Sequence, residues 1–86
     1  MPRICYFLGI SIYMYWRDHP PPHFHAIYGD YAAQFAIETG EILEGKFPRK
    51  ATQLVKEWIE LYRAELLEAW NLAQAERELS KIPPLE

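Results

Sequence analysis

The stretch Asp18-His19-Pro20-Pro21-Pro22-His23-Phe24-His25 holds all three histidines of the chain and three of its seven prolines. Imidazole changes charge near neutral pH, its ordinary pKa being about 6.5. It can therefore act as general acid or base, as metal ligand or, protonated, as an anion binder. His23 and His25 are two residues apart. On a β-strand that spacing puts both rings on one face, with Cβ atoms about 6–7 Å apart. This suits one shared metal ion or one bound anion. Asp18 and His19 add groups from the adjoining loop. Zinc takes nitrogens and carboxylates in tetrahedral geometry, so His19, His23 and His25 are the candidate ligands of a divalent metal such as zinc. With Asp18 they are also the candidates for a catalytic role. The same residues fit a structural role in which His25 stacks on tyrosine and His19 satisfies the loop backbone. The helical spacing of metalloprotease motifs is missing, as are a P-loop, a Gly-rich dinucleotide loop and a Ser-centred elbow.

A second group surrounds Pro48: Lys46, Arg49 and Lys50. If Pro48 opens a helix, these cations lie where free backbone N–H groups already favour anions. A phosphate, a nucleic-acid backbone or the acidic surface of a partner would be drawn there. The alternative is ordinary solvated side chains beside Glu41 and Glu44.

Positioning these groups requires strands, then a helix. Residues 4–8 and 10–16 are rich in β-branched and aromatic types and are divided by Gly9, which predicts two strands or one bent strand. Residues 17–22 cannot be helix or central strand, because three successive prolines remove three donors and fix three φ angles. A stiff polyproline-like connector is expected. Residues 24–28 and 31–37 flank Gly29-Asp30, a hairpin signal. That turn pairs Tyr28 with Tyr31, Ala26 with Ala33 and Phe24 with Phe35 on an apolar face. The other face receives Ile27 opposite Ala32, His25 opposite Gln34 and His23 opposite Ala36, so both strand histidines point away from the core. After a turn at residues 38–41, Ile42 is placed to pair with Ile37.

From Pro48 to about Glu78 the apolar residues recur at three- and four-residue steps, through Ala51, Leu54, Val55, Trp58, Leu61, Tyr62, Leu66, Ala69, Trp70 and Ala73. This is long for a globular helix, and a bend or break is expected near residues 62–64. Trp58 and Trp70 belong in the core; a tryptophan facing water would instead be an interface anchor. The predicted fold is α+β: an antiparallel meander of four or five strands, with the helical segment packed on the Phe24/Phe35 face. Residues 1–80 form one domain and residues 81–86 a tail.

Composition bounds the rest. A chain of 86 residues, 50% hydrophobic and 15% aromatic, can build one core. The single cysteine, Cys5, lies in an apolar run and excludes an intrachain disulfide, which fits a reducing cytoplasm. No signal peptide or spanning segment of about 20 apolar residues is expected. A net charge of −3 argues against a dedicated nucleic-acid coat but leaves room for a local basic patch.

Together, Asp18-His19-x-Pro21-Pro22-His23-Phe24-His25, Tyr28-Gly29, Thr39-Gly40-Glu41-Ile42, Gly45-Lys46-Phe47-Pro48-Arg49, Trp58-Ile59-Glu60-Leu61, Glu65-Leu66-Leu67 and Trp70 resemble the small bacterial proteins of domain-of-unknown-function family 4160. The resemblance implies bacterial origin and a neighbouring gene for another small protein, in pairs proposed to be toxin–antitoxin-like modules. It supplies no established activity. The functional expectation is therefore a member of such a module, acting through the histidines on RNA, a nucleotide or the protein partner. The alternative is a non-catalytic metal-binding or protein-interaction module.

Overall fold

The computed structural model describes residues 2–86. Strands β1 (Arg3–Phe7), β2 (Ile10–Tyr13), β3 (His23–Tyr28), β4 (Tyr31–Ala36) and β5 (Ile42–Lys46) precede one helix, α1 (Arg49–Gln74). The strands form one antiparallel sheet in the order β1-β2-β3-β4-β5, the expected meander.

Two turns set its register. Leu8 and Gly9 both take positive φ (49° and 85°), which turns the first two runs into a tight hairpin rather than one bent strand. Gly29 takes φ 58°, and β3 pairs with β4 as the Gly-Asp turn predicts, from Tyr28 opposite Tyr31 to His23 opposite Ala36. The β4–β5 register differs from expectation. Ile42 lies opposite Phe35, not Ile37, with an irregularity between Gln34 and Phe35. Ala36 closes the turn, its N–H donating to Glu41 O and its carbonyl accepting from Gly40 N. Ile37 is thereby released from the ladder; it donates to Pro22 O instead and is fully buried.

The helix covers the Phe24/Phe35 face. Trp58 meets the Phe24 ring edge-on at 5.6 Å and lies 5.3 Å from Phe7. Both Trp58 and Trp70 are buried, so neither helix tryptophan is a surface anchor. Pro48 caps the helix start. Tyr62 departs from helical geometry (φ −125°, ψ 25°) and kinks α1 within the expected stretch. There Arg63 Nε donates to Ile37 O at 3.1 Å. The helix stops at Gln74, short of the expected Glu78. Glu76 takes φ 56°, its N–H donates to Ala73 O, and Arg77 N donates to Leu72 O. This is a Schellman closure with glutamate in the left-handed position that glycine usually fills.

Residues 81–86, expected as a tail, lie against the core. Ile82 is buried and donates its N–H to Ile4 O, while Trp58 Nε1 donates to Pro83 O at 2.8 Å. Among the described residues no helix is long and apolar enough to cross a membrane.

Gly45 sits in β5 at φ 90°, and a Cβ there would overlap the Ala32 carbonyl. Gly45→Ala is expected to cost at least about 2 kcal/mol in urea unfolding, from steric overlap and left-handed strain together. Cys5 is buried, and burial pushes its thiol up, against smaller opposing effects of a hydrogen bond from the Tyr6 backbone, the Lys81 charge and Trp58. A raised folded value favours the fold fully below about pH 8.5, and that stabilisation is lost as pH rises through the folded value. Thiol labelling at pH 8 should accordingly be slow in the native protein and complete in denaturant.

Candidate functional site

The site is built where the loop after β2 reaches the end of α1. Trp16 Nε1 donates to Arg77 O at 2.9 Å, Arg17 N donates to Ala73 O at 3.2 Å, and Gln74 Nε2 donates to Asp18 O at 3.0 Å. Three successive residues are thus fastened to the helix terminus and the turn that closes it. Arg17 takes φ 55° within this clamp. The Asp18 side chain then turns inward, 16% exposed.

The proline segment does not run on as a polyproline helix. The Pro20–Pro21 peptide is cis, and the chain doubles back so that Asp18 touches β3. Asp18 Oδ1 accepts from His19 N at 2.8 Å. Its Oδ2 lies 3.0 Å from His23 Nε2 and 3.1 Å from His25 Nε2. The loop carboxylate and the strand histidines therefore form one constellation. Among the described residues they make a group whose ligand atoms all lie within 4.8 Å of one another.

The expectation that both strand histidines face the open side holds for His25 alone. His25 is half-buried, with Tyr15 set edge-on at 4.3 Å, which is the tyrosine contact of the structural reading. His23 is 1% exposed. It occupies the first position of β3, where the returning loop and the helix close over it. Its ring lies 5.2 Å from Trp70, and its Nδ1 lies 2.7 Å from Pro21 O. His19 is outside the group: its side chain is 76% exposed and its Nε2 is 3.7 Å from Asp18 Oδ1.

Opposing influences act on the Asp18 carboxyl. Burial pushes it up, but hydrogen bonds from His25 and the His19 backbone, with the charges of His23 and His19, outweigh this and hold it below its usual range.

The cations stand apart. The sheet row through His25 runs Tyr13, His25, Gln34, Glu44, with Gln34 Nε2 donating to Glu44 Oε2 at 3.2 Å. Lys46 belongs to the next row, opposite Ala32, while Arg49 and Lys50 open the helix, all three exposed. Among the described residues no hydrogen bond or ion pair joins them to the histidines. A cavity of about 290 Å³ adjoins His25 on the open face, lined also by Tyr15, Ile27, Ala32, Gln34 and Glu44.

Sequence reasoning missed Trp70 and Gln74 as parts of the site. Their helical spacing identified the one as core and said nothing of the other; neither carried a signal of proximity to Asp18.

Fold and cluster define a small α+β protein with one carboxylate and two imidazoles converging at the end of an antiparallel sheet. Residues 9–71, well over half of the chain and including every candidate site residue, match the family described as Domain of unknown function (DUF4160), and the chain belongs to that family. No curated protein and no solved structure matches it.

Removing the carboxylate leaves half-buried His25 Nε2 without its acceptor and takes away the group that faces buried His23 Nε2. Asp18→Ala is expected to cost about 1–3 kcal/mol, the usual penalty for a buried polar group losing its hydrogen bond. Urea unfolding at pH 7 measures it. His19→Ala, which alters an exposed ring, should stay within about 0.5 kcal/mol of the parent.

Proposed function

We propose that this protein is the binding member of a two-protein bacterial module of the toxin–antitoxin kind. In this reading the uncovered face of the sheet receives the small protein encoded beside it. The observation that carries this is the composition of that face. With α1 packed on the other side, it presents Tyr13, His25, Gln34 and Glu44 in one row and Ser11, Ile27, Ala32 and Lys46 in the next. Tyr6 extends the second row, and Tyr6 and Ile27 are exposed. Aromatic and aliphatic side chains among sparse, mixed charges resemble the centre of a protein interface. A nucleic-acid surface would be strongly basic, whereas Glu44 lies in the histidine row and the chain carries −3 overall. The neighbouring gene is what the sequence resemblance implies, and the partner in this reading is taken from it.

The test is co-expression with the neighbouring gene product. Ile27→Asp and Ala32→Glu place charge on the face without touching the buried cluster. Each should keep the native circular dichroism spectrum, reduce co-purification at least tenfold and abolish any effect of the pair on growth. Undiminished co-purification of both folded variants would remove the proposal.

A further inference from the structure

We propose that Asp18, His23 and His25 bind a divalent transition-metal ion of the zinc class. The argument begins with His23. Its Nδ1 lies 2.7 Å from the Pro21 carbonyl oxygen. A carbonyl only accepts, so this nitrogen carries hydrogen. The neutral ring then has its lone pair on Nε2, which lies 3.0 Å from the Asp18 Oδ2 acceptor, the imidazole fully buried and the carboxylate 16% exposed. Two lone pairs facing each other at that distance repel. The arrangement is favourable when positive charge stands between them, as a second proton or as a metal ion.

His25 adds a third donor atom. Its Nε2 approaches the same oxygen, at 3.1 Å. Without metal, a proton on His23 and the Nε2–H tautomer of His25 satisfy the carboxylate; a metal takes their place and uses all three donor atoms together. Tetrahedral zinc with bonds near 2.0–2.1 Å sets its ligand atoms about 3.3–3.4 Å apart. The two distances to Asp18 thus need to widen by a few tenths of an ångström, with the two imidazole nitrogens, within 4.8 Å of each other, adjusting to the same spacing. A ring fixed through Nδ1–H to a backbone carbonyl, with Nε2 presented, is also how metal-bound histidines are commonly oriented.

The donor set selects the metal. Two imidazoles and a carboxylate suit zinc and its divalent neighbours; calcium and magnesium prefer all-oxygen sites. Three protein ligands leave a fourth position for water or an incoming group. The way in lies on the side of His25 and Asp18, 22% and 16% exposed, since His23 is sealed beneath Trp70. Preorganisation comes from the clamp of residues 16–18 on α1, which fixes Asp18 before any ion arrives.

The test uses the intact protein alone, stripped with chelator and titrated with zinc chloride, then with cobalt chloride. One equivalent of each should bind. Cobalt should give the visible absorption of a four-coordinate nitrogen–oxygen site. Free zinc at 100 times its Kd should raise the thermal midpoint by about 10 °C or more. His25→Gln and Asp18→Asn, which keep side-chain size, should weaken binding about 100-fold or more, while His19→Ala should keep one-to-one binding. Failure of the parent protein to take up stoichiometric zinc or cobalt overturns the assignment, as would undiminished affinity in both ligand variants. Loss of binding in His19→Ala would overturn this choice of three ligands. Because the readout needs no second protein, its outcome is separate from that of the partner experiment.

Discussion

The attachment of residues 16–18 to the C-terminus of α1 is the constraint on which the site depends. A helix ends with carbonyl groups that need donors. Here Ala73 O accepts both from Glu76 within the closing turn and from Arg17 across the molecule. The Trp16 indole and the Gln74 amide add bonds on either side. A loop lacking such ties would hold Asp18 as one orientation among many, and its carboxylate would reach the histidines only at an entropic cost. The helix removes that freedom.

The kink at Tyr62 gives α1 two tasks. Before it, Ala51, Val55 and Trp58 are buried in the core under the sheet. After it, Leu66, Ala69, Trp70 and Ala73 are buried and lead toward His23 and the loop. Arg63, just past the bend, ties the second part to the end of β4 through Ile37 O. One rod packed on the sheet and one rod directed at the site are thereby drawn from a single helix.

Much of this was legible in the sequence, and the reasons are local. Gly29-Asp30 and the alternation around it set the β3–β4 register, because a two-residue turn leaves no freedom to slip. The three- and four-residue periodicity located the helix, and its excessive length announced a bend. What escaped depends on contacts distant along the chain or on backbone choices that residue type does not announce. Glu76 ends the helix from a conformation expected of glycine. Ile37 is not paired with Ile42 because Ala36 already closes the turn with Gly40 and Glu41, and the Ile37 N–H goes to Pro22 O. His23 is alternation-consistent with an open face, yet Trp70 and the returning loop enclose it. Lys46, Arg49 and Lys50 are close to one another in sequence, but the sheet register assigns Glu44, rather than Lys46, to the histidine row.

The packed C-terminal segment makes the two borders of the sheet unlike. Along β1, the bond from Ile82 N to Ile4 O occupies part of the outer ladder and sets a hydrophobic side chain over it. Along β5, the border is uncovered, but Glu44, Lys46 and the left-handed Gly45 interrupt it. Exposed ladders invite sheet-to-sheet growth between molecules; charge, irregular backbone and a covering segment each oppose it. This protein blocks one border with its own chain and roughens the other. Strand-by-strand polymerisation is disfavoured at both ends by different means, while the broad face between them stays uncovered.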